Sequence, residues 1–252
     1  MKHTCLSLLL ACSALISSHG LAAQAPDCSP AGGLTFLCGL QNPEDVVVVP
    51  GTRWLLASGM APGAGLTLVD TQAKTVRKVF APGTAVARAD RTRFGSCPGA
   101  LDPKQAVLHG LALRSAAGGR HTVYASNHGG RESVEVFELT AGAGGAVPSA
   151  TWIGCVLLPP KLAVNSVAAF SDGTLVATVL MLPGKTFEDA FAMRKTGIVL
   201  QWTPGTAAFV ELKGTELVAN NGIETSADDR EFYVASTTMR RVYAFSRAKP
   251  RA

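Results

Sequence analysis

Four side chains able to bind a metal or move a proton stand at similar spacing along the chain. They are Glu44, His109, Asn165 and Asn221, separated by 65, 56 and 56 residues. A carboxylate and two amides are oxygen donors of the kind a hard cation takes. An imidazole titrates near neutral pH and can take a proton from water. A second imidazole, His128, follows His109 at the far end of the next apolar run. His121, just before a strand, reads as a surface residue. No Gly-x-Ser-x-Gly elbow is present, so a serine nucleophile has no anchor.

Each of the four residues opens the same kind of unit. The clearest copy is Asn221-Gly222-Ile223, an Asp228-Asp229 turn, the run Glu231–Ser236, and the alternating strand Arg241–Phe245. Upstream, Asn42–Asp45 leads into Val46–Val49, a Pro50-Gly51 turn, Trp54–Ser58, Leu66–Asp70 and Thr75–Phe80. Leu108-His109-Gly110 leads, past Gly118-Gly119, into Thr122–Ser126 and Val134–Leu139. Val164-Asn165-Ser166 leads, past Ser171–Gly173, into Leu175–Thr178 and Gly197–Trp202. Short alternating runs bounded by Gly, Pro, Asn and Asp are strands. Multistranded units repeating every roughly 40–60 residues mark a β-propeller. The first strand of each blade lines the channel, so one polar side chain per blade is expected to meet the others on the axis. Trp152-Ile153-Gly154-Cys155 reads as a turn. Between Met181 and Lys195 the rhythm breaks. There Thr186 should cap a short helix with Glu188 and Asp189 in its first turn. Phe187, Phe191 and Met193 would give it an apolar side, either as a plain surface insertion or as a flap over the channel mouth.

Composition agrees with an all-β protein. Only 16% of the 252 residues are charged, Gly (26) and Pro (14) are frequent, and helical periodicity is nearly absent. The formal charge of +5 is scattered. Arg88, Arg91 and Arg93 come nearest to a cluster and read as a solvated loop, so no nucleic-acid partner is expected.

Residues 1–23 have the pattern of an export signal: Lys2 and His3, an apolar run from Leu6 to Ile16, and small residues around Ala22-Ala23. The run is too short to span a membrane in the mature protein. Leu9-Leu10-Ala11-Cys12 offers lipoprotein anchoring as a minor alternative. The expected product is a propeller domain over residues 24–252, periplasmic or secreted. In that compartment Cys28, Cys38, Cys97 and Cys155 should form two disulfides. Four thiols allow three connectivities, of which Cys28–Cys38 and Cys97–Cys155 are favoured. Zinc is the competing reading, but no pair has C-x-x-C spacing.

The run from His109-Gly110-Leu111 through Tyr124–His128 to Ser133–Phe137 resembles the paraoxonase/arylesterase family. Asn221-Gly222-Ile223 with its Ser-x-Asp turn is shared with the wider gluconolactonase and strictosidine-synthase-like propellers. The resemblance covers roughly residues 42–247. It implies a six-bladed propeller with calcium in its channel, about four of whose blades these residues supply, and hydrolysis of small-molecule esters or lactones. It also implies that Glu44, Asn165 and Asn221 bind the catalytic calcium and that His109 and His128 activate water. Asp45, with the backbone carbonyl of Leu111, would serve a second, structural calcium. Ser166 stands where the family has an aspartate for that second ion, and no counterpart of the family's last two blades, or of the Asp-Asn pair within them, is found.

In the implied reaction the cation polarises the carbonyl and a histidine takes the proton of the attacking water. The alternative is a non-enzymatic propeller, a binding or scaffold module with an incomplete metal site. The residues set no oligomeric state.

Overall fold

The computed structural model describes residues 28–250 and divides into a short unit, Met1–Phe36, and a main unit, Leu37–Ala252. The expected export signal, its cleavage point and Cys12 lie outside the described residues. In the short unit, Ala31 and Leu34 form an antiparallel bridge. Cys28 and Cys38 are both disulfide-bonded.

The main unit is all-β, with four sheets arranged as propeller blades. Blade 1 is β1 (Pro43–Val48), β2 (Trp54–Gly59), β3 (Gly65–Asp70) and β4 (Thr75–Phe80). Blade 2 is β5 (Leu108–Ser115), β6 (Arg120–Asn127), β7 (Ser133–Thr140) and β8 (Ser149–Leu157). Blade 3 is β9 (Val167–Ala169), β10 (Leu175–Val179), β11 (Gly197–Trp202) and β12 (Val210–Leu217). Blade 4 has three strands, β13 (Asn220–Thr225), β14 (Glu231–Ser236) and β15 (Arg241–Ser246). Every pairing within a blade is antiparallel, and the strands lie in sequence order. The first strands pack in succession, β1 on β5, β5 on β9 and β9 on β13. These are the inner strands of the arc.

The apolar face of each blade is buried against the next. Leu56, Leu68, Val123, Val136, Leu175 and Leu200 belong to one continuous core. Phe232, Val234 and Phe245 of blade 4 close onto Ala168, Val176 and Val199 of blade 3 in a second cluster. Phe232 and Phe245, directly opposite on β14 and β15, stack with ring centroids 5.1 Å apart. Each such buried side chain contributes about 1.5–3 kcal/mol of transfer free energy.

Two strands escaped the sequence pattern. Trp152–Cys155 is not a turn but the middle of β8, and β12 completes blade 3. In β8, Gly154 breaks the alternation for a packing reason: a Cβ there would lie 2.4–2.6 Å from the ring side of Phe94. In β12, Lys213-Gly214-Thr215-Glu216 has too few apolar residues to announce a strand. The segment before blade 2 runs parallel to β8, with the amides of Arg88 and Asp90 donating to the carbonyls of Trp152 and Ile153. The arginines there are not a free cluster. Arg88 pairs with Glu138, Arg91 donates to the Cys97 carbonyl, and Arg93 lies over the Phe94 ring.

The Cys97–Cys155 disulfide ties this segment to β8 across a separation of 58 residues. Closing a loop of that length stabilises the fold by about 4 kcal/mol in the chain-entropy account. The insertion after β10 holds α1 (Phe187–Phe191), whose Thr186 N-cap forms a reciprocal capping box with Asp189. Its apolar side chains face solvent, with Phe187 62%, Phe191 71% and Met193 57% exposed. No helix among the described residues is long and apolar enough to cross a membrane.

Candidate active site

The inner strands share one irregularity at one end. The β1–β2 register shifts between Pro43 and Val46, around Glu44-Asp45. The β5–β6 register shifts between Leu108 and Leu111, around His109-Gly110. The β13–β14 register shifts between Asn220 and Ile223, around Asn221-Gly222. In blade 3 the equivalent pair, Asn165-Ser166, precedes β9 and is held by Thr178 of β10. A bulge unpairs the backbone and re-aims a side chain, and such bulges recur beside functional sites. All four repeating polar residues therefore sit at the same break in the ladder.

A buried hydroxyl follows an alanine near the end of each second strand: Ser58, Ser126, Thr178 and Ser236. Ser58 Oγ accepts from the Asp45 amide at 3.0 Å, and Thr178 Oγ1 accepts from the Ser166 amide at 3.1 Å. Thr178 also donates to the Asn221 carbonyl, which joins blades 3 and 4. Ser236 donates to the Val218 carbonyl. Ser126 Oγ is buried without a partner among the described residues.

Neighbouring breaks touch. Asp45 Oδ2 accepts from the Leu111 amide at 2.7 Å while Oδ1 accepts from the Val46 amide at 2.7 Å, so this carboxylate staples blade 1 to blade 2. Asp45 and Leu111 thus meet through the Leu111 N–H. Gly110 lies so close to blade 3 that a Cβ would stand 2.7 Å from Ser166 Cα.

Across this surface runs a chain of four ionisable side chains. Glu44 Oε1 lies 3.0 Å from His109 Nε2, and His109 Nδ1 lies 3.1 Å from His128 Nε2. His128 Nδ1 lies 3.1 Å from both carboxylate oxygens of Glu132. Three contacts in series need three ring protons, one for each, whereas two neutral imidazoles carry two. The chain is fully hydrogen-bonded when the two rings share a third proton.

Glu132 was not among the residues singled out by sequence. Asn127 and Ser133 pair across the hairpin neck, so the five-residue loop 128–132 brings its two ends together. His128 and Glu132 are those ends, and a His-Gly-Gly-x-Glu loop between two strands is the signal that could have found them. The loop is fixed from below. Asn127 donates to the carbonyls of Gly129 and Arg131 and accepts from the amides of Val107 and Gly129. Arg131 forms a fork on the fully buried Glu135, whose oxygens also accept from Ser133 and Trp152 Nε1. A buried carboxylate with four donors is satisfied and rigid.

Asn165 and Asn221 are half-buried, and their side-chain amides have no hydrogen-bond partner among the described residues. Asn220, by contrast, turns inward, accepting from the Leu217 amide and donating to the Thr215 carbonyl. With one oxygen of Glu44 on His109, these side chains offer an oxygen-only donor set that suits a hard cation in kind. Both oxygens of Asp45 are taken by backbone amides. Among the described residues, no group of three or more His, Cys, Asp or Glu is placed to hold a metal.

No family model matches the chain, and no curated protein does. Among solved structures, it is similar to a chain of a nidogen/laminin complex, with TM-score 0.44 and 10% identity over 82% of this chain and 60% of that one. It is also similar to the Myceliophteria thermophila Cps50 (Swd1) β-propeller domain, with TM-score 0.48 and 14% identity over 80% of this chain and 50% of that one. The chain thus spans about half to three fifths of these neighbours, and at such scores neither bears on function.

Proposed function

We propose that the protein hydrolyses small-molecule esters or lactones, with His109 and His128 acting together as the general base on water. The Glu44–His109–His128–Glu132 chain, set at the shared break of the inner strands, is the observation that carries this reading. The resemblance to the paraoxonase/arylesterase family leads to the same chemistry.

In the reaction, a water oxygen adds to the carbonyl carbon while His109 takes the water proton at Nε2. In the arrangement described that nitrogen faces Glu44 and carries the third ring proton, so the base becomes available when this contact opens and that proton leaves to Glu44 or to solvent. His128 shares the incoming positive charge through the Nδ1–Nε2 contact, and Glu132 balances it. The proton then goes to the departing alkoxide, giving the acid and the alcohol, or the hydroxy acid from a lactone. Glu132 also fixes the His128 tautomer, holding Nδ1–H so that Nε2 faces His109.

Glu44, Asn165 and Asn221 are the residues that would hold calcium, which when bound would polarise the carbonyl and stabilise the developing oxyanion. Hydrolysis of phenyl acetate and a set of lactones, with added calcium and with EDTA, tests both parts. Activity restored by calcium after chelation is the expected result. Activity that survives EDTA removes calcium from the account, and no hydrolysis in either condition supports a binding module instead.

A further inference from the structure

Beside the hairpin loop that carries Glu132 lies a groove of about 480 Å3, within the range of small-molecule sites. Its walls are the loop end, Arg131-Glu132, and the segment Leu157–Ala163 that leads from β8 back toward Asn165. The Leu158 amide donates to the Glu132 carbonyl at 3.1 Å, so the two walls are fastened together. Leu157, Leu158, Pro159, Pro160 and Leu162 make the lining mainly apolar.

Three charged groups line it as well. Glu132 is engaged with His128 at one end. The Arg131 guanidinium is committed to Glu135 and the Gly99 carbonyl. Lys161 is exposed, and its ammonium has no partner among the described residues. Its backbone is unusual too. The Leu162 amide donates to the Pro159 carbonyl at 3.2 Å, with Pro160 and Lys161 between, and Lys161 has φ +69°. That is the pattern of a type II turn, whose third position is the place for glycine. A glycine would hold the turn without strain, whereas lysine gives up stability and places a cation at the groove. Strain of this kind gathers at ligand clamps.

We propose that this groove holds the acid-bearing arm of the substrate, with Lys161 pairing to a remote carboxylate. The substrates would then be esters or lactones whose reacting carbonyl lies at His109, past Glu132 and His128, joined through an apolar spacer to a carboxylate. This rests on the hydrolase reading above. The charge order is set by the groove itself, because an anion at the Glu132 end would face a carboxylate.

The test uses the whole protein and its Lys161→Gly variant, with two readouts. Binding of 4-phenylbutyrate and of its neutral amide is followed by calorimetry. The acid should bind about three- to fivefold more weakly to the variant, the worth of one solvated ion pair, with the amide unchanged. Hydrolysis of mono-4-nitrophenyl adipate should show a KM raised by the same factor at constant kcat, while 4-nitrophenyl butyrate is unaffected. The variant should melt at a higher temperature, as relief of the turn requires. Equal binding of the acid to both proteins, or equal affinity of wild type for acid and amide, overturns the groove assignment. Loss of acid binding in the variant while wild type hydrolyses no ester overturns the substrate assignment through the hydrolase reading, with the acid-binding groove left standing.

Discussion

Thr178→Val is the sharpest probe of how the inner-strand breaks are held. Thr178 is fully buried, and its hydroxyl accepts from the Ser166 amide at 3.1 Å while donating to the Asn221 carbonyl. Valine keeps the shape and removes both bonds, leaving an N–H and a C=O without their partner. Each orphaned buried group costs about 1–3 kcal/mol. Ser166 and Asn221 are only half-buried, so water can repair part of the loss, and the expected net cost is about 2 kcal/mol. For a domain of this size that lowers Tm by about 4–8 °C. Ser126→Ala is the control at the equivalent position of blade 2. Its hydroxyl is buried without a partner among the described residues, so removal should leave stability within about 0.5 kcal/mol of wild type, or raise it. Thermal melts followed by circular dichroism, with urea titrations beside them, measure both. Equal destabilisation by the two substitutions would refute the assignment of the Thr178 bonds.

Two further outcomes are expected. His121 is buried at the start of β6 with Nδ1 3.2 Å from Ser115 Oγ and Nε2 unpartnered among the described residues, and burial lowers its pKa below the ordinary 6.5. The unfolded chain then takes up the proton first as pH falls, so the contribution of neutral His121 is full above about 6.5 and is lost below it. His121→Leu should flatten the fall of Tm between about pH 7 and 5, and a slope equal to wild type would count against it. Glu132→Gln can still accept from His128 Nδ1–H but has no charge to balance the shared proton. It should lower kcat by about tenfold or more and alter the pH–rate profile, whereas a merely structural Glu132 would leave that profile where it was.

The blades were legible because their apolar runs alternate and their turns carry Gly, Asp and Asn at fixed offsets. β8 and β12 were not, since packing overrides pattern there: Gly154 makes room for Phe94, and Lys213–Glu216 has little apolar content. β12 is largely exposed, so its sequence is less constrained. The polar residue opening each unit was visible as a repeat, but the bulge that re-aims it was not. A register shift depends on which partner amide is paired, as with Ser58 and the Asp45 amide, and that is a tertiary fact. His128 and His109 could be proposed as a pair, while Glu132 could not be told from any hairpin carboxylate without the Asn127–Ser133 pairing that folds the loop back. His121 read as surface because it precedes a strand, yet it is the second residue of β6, paired between Ser115 and Leu139, and is buried. Lys161 carried no pattern at all, because its positive φ is set by the turn between Pro159 and Leu162.

We propose that His109 and His128 work together as the base of an ester or lactone hydrolase. It is tested most directly by kcat/KM for phenyl acetate and for a lactone, in wild type and in His109→Gln and His128→Gln, with calcium present and melting temperature as the folding control. Wild type should hydrolyse both substrates measurably, and each variant should fall by about 10²–10⁴. Variants that fold and retain wild-type kcat/KM, or a wild type that hydrolyses neither substrate, would contradict it.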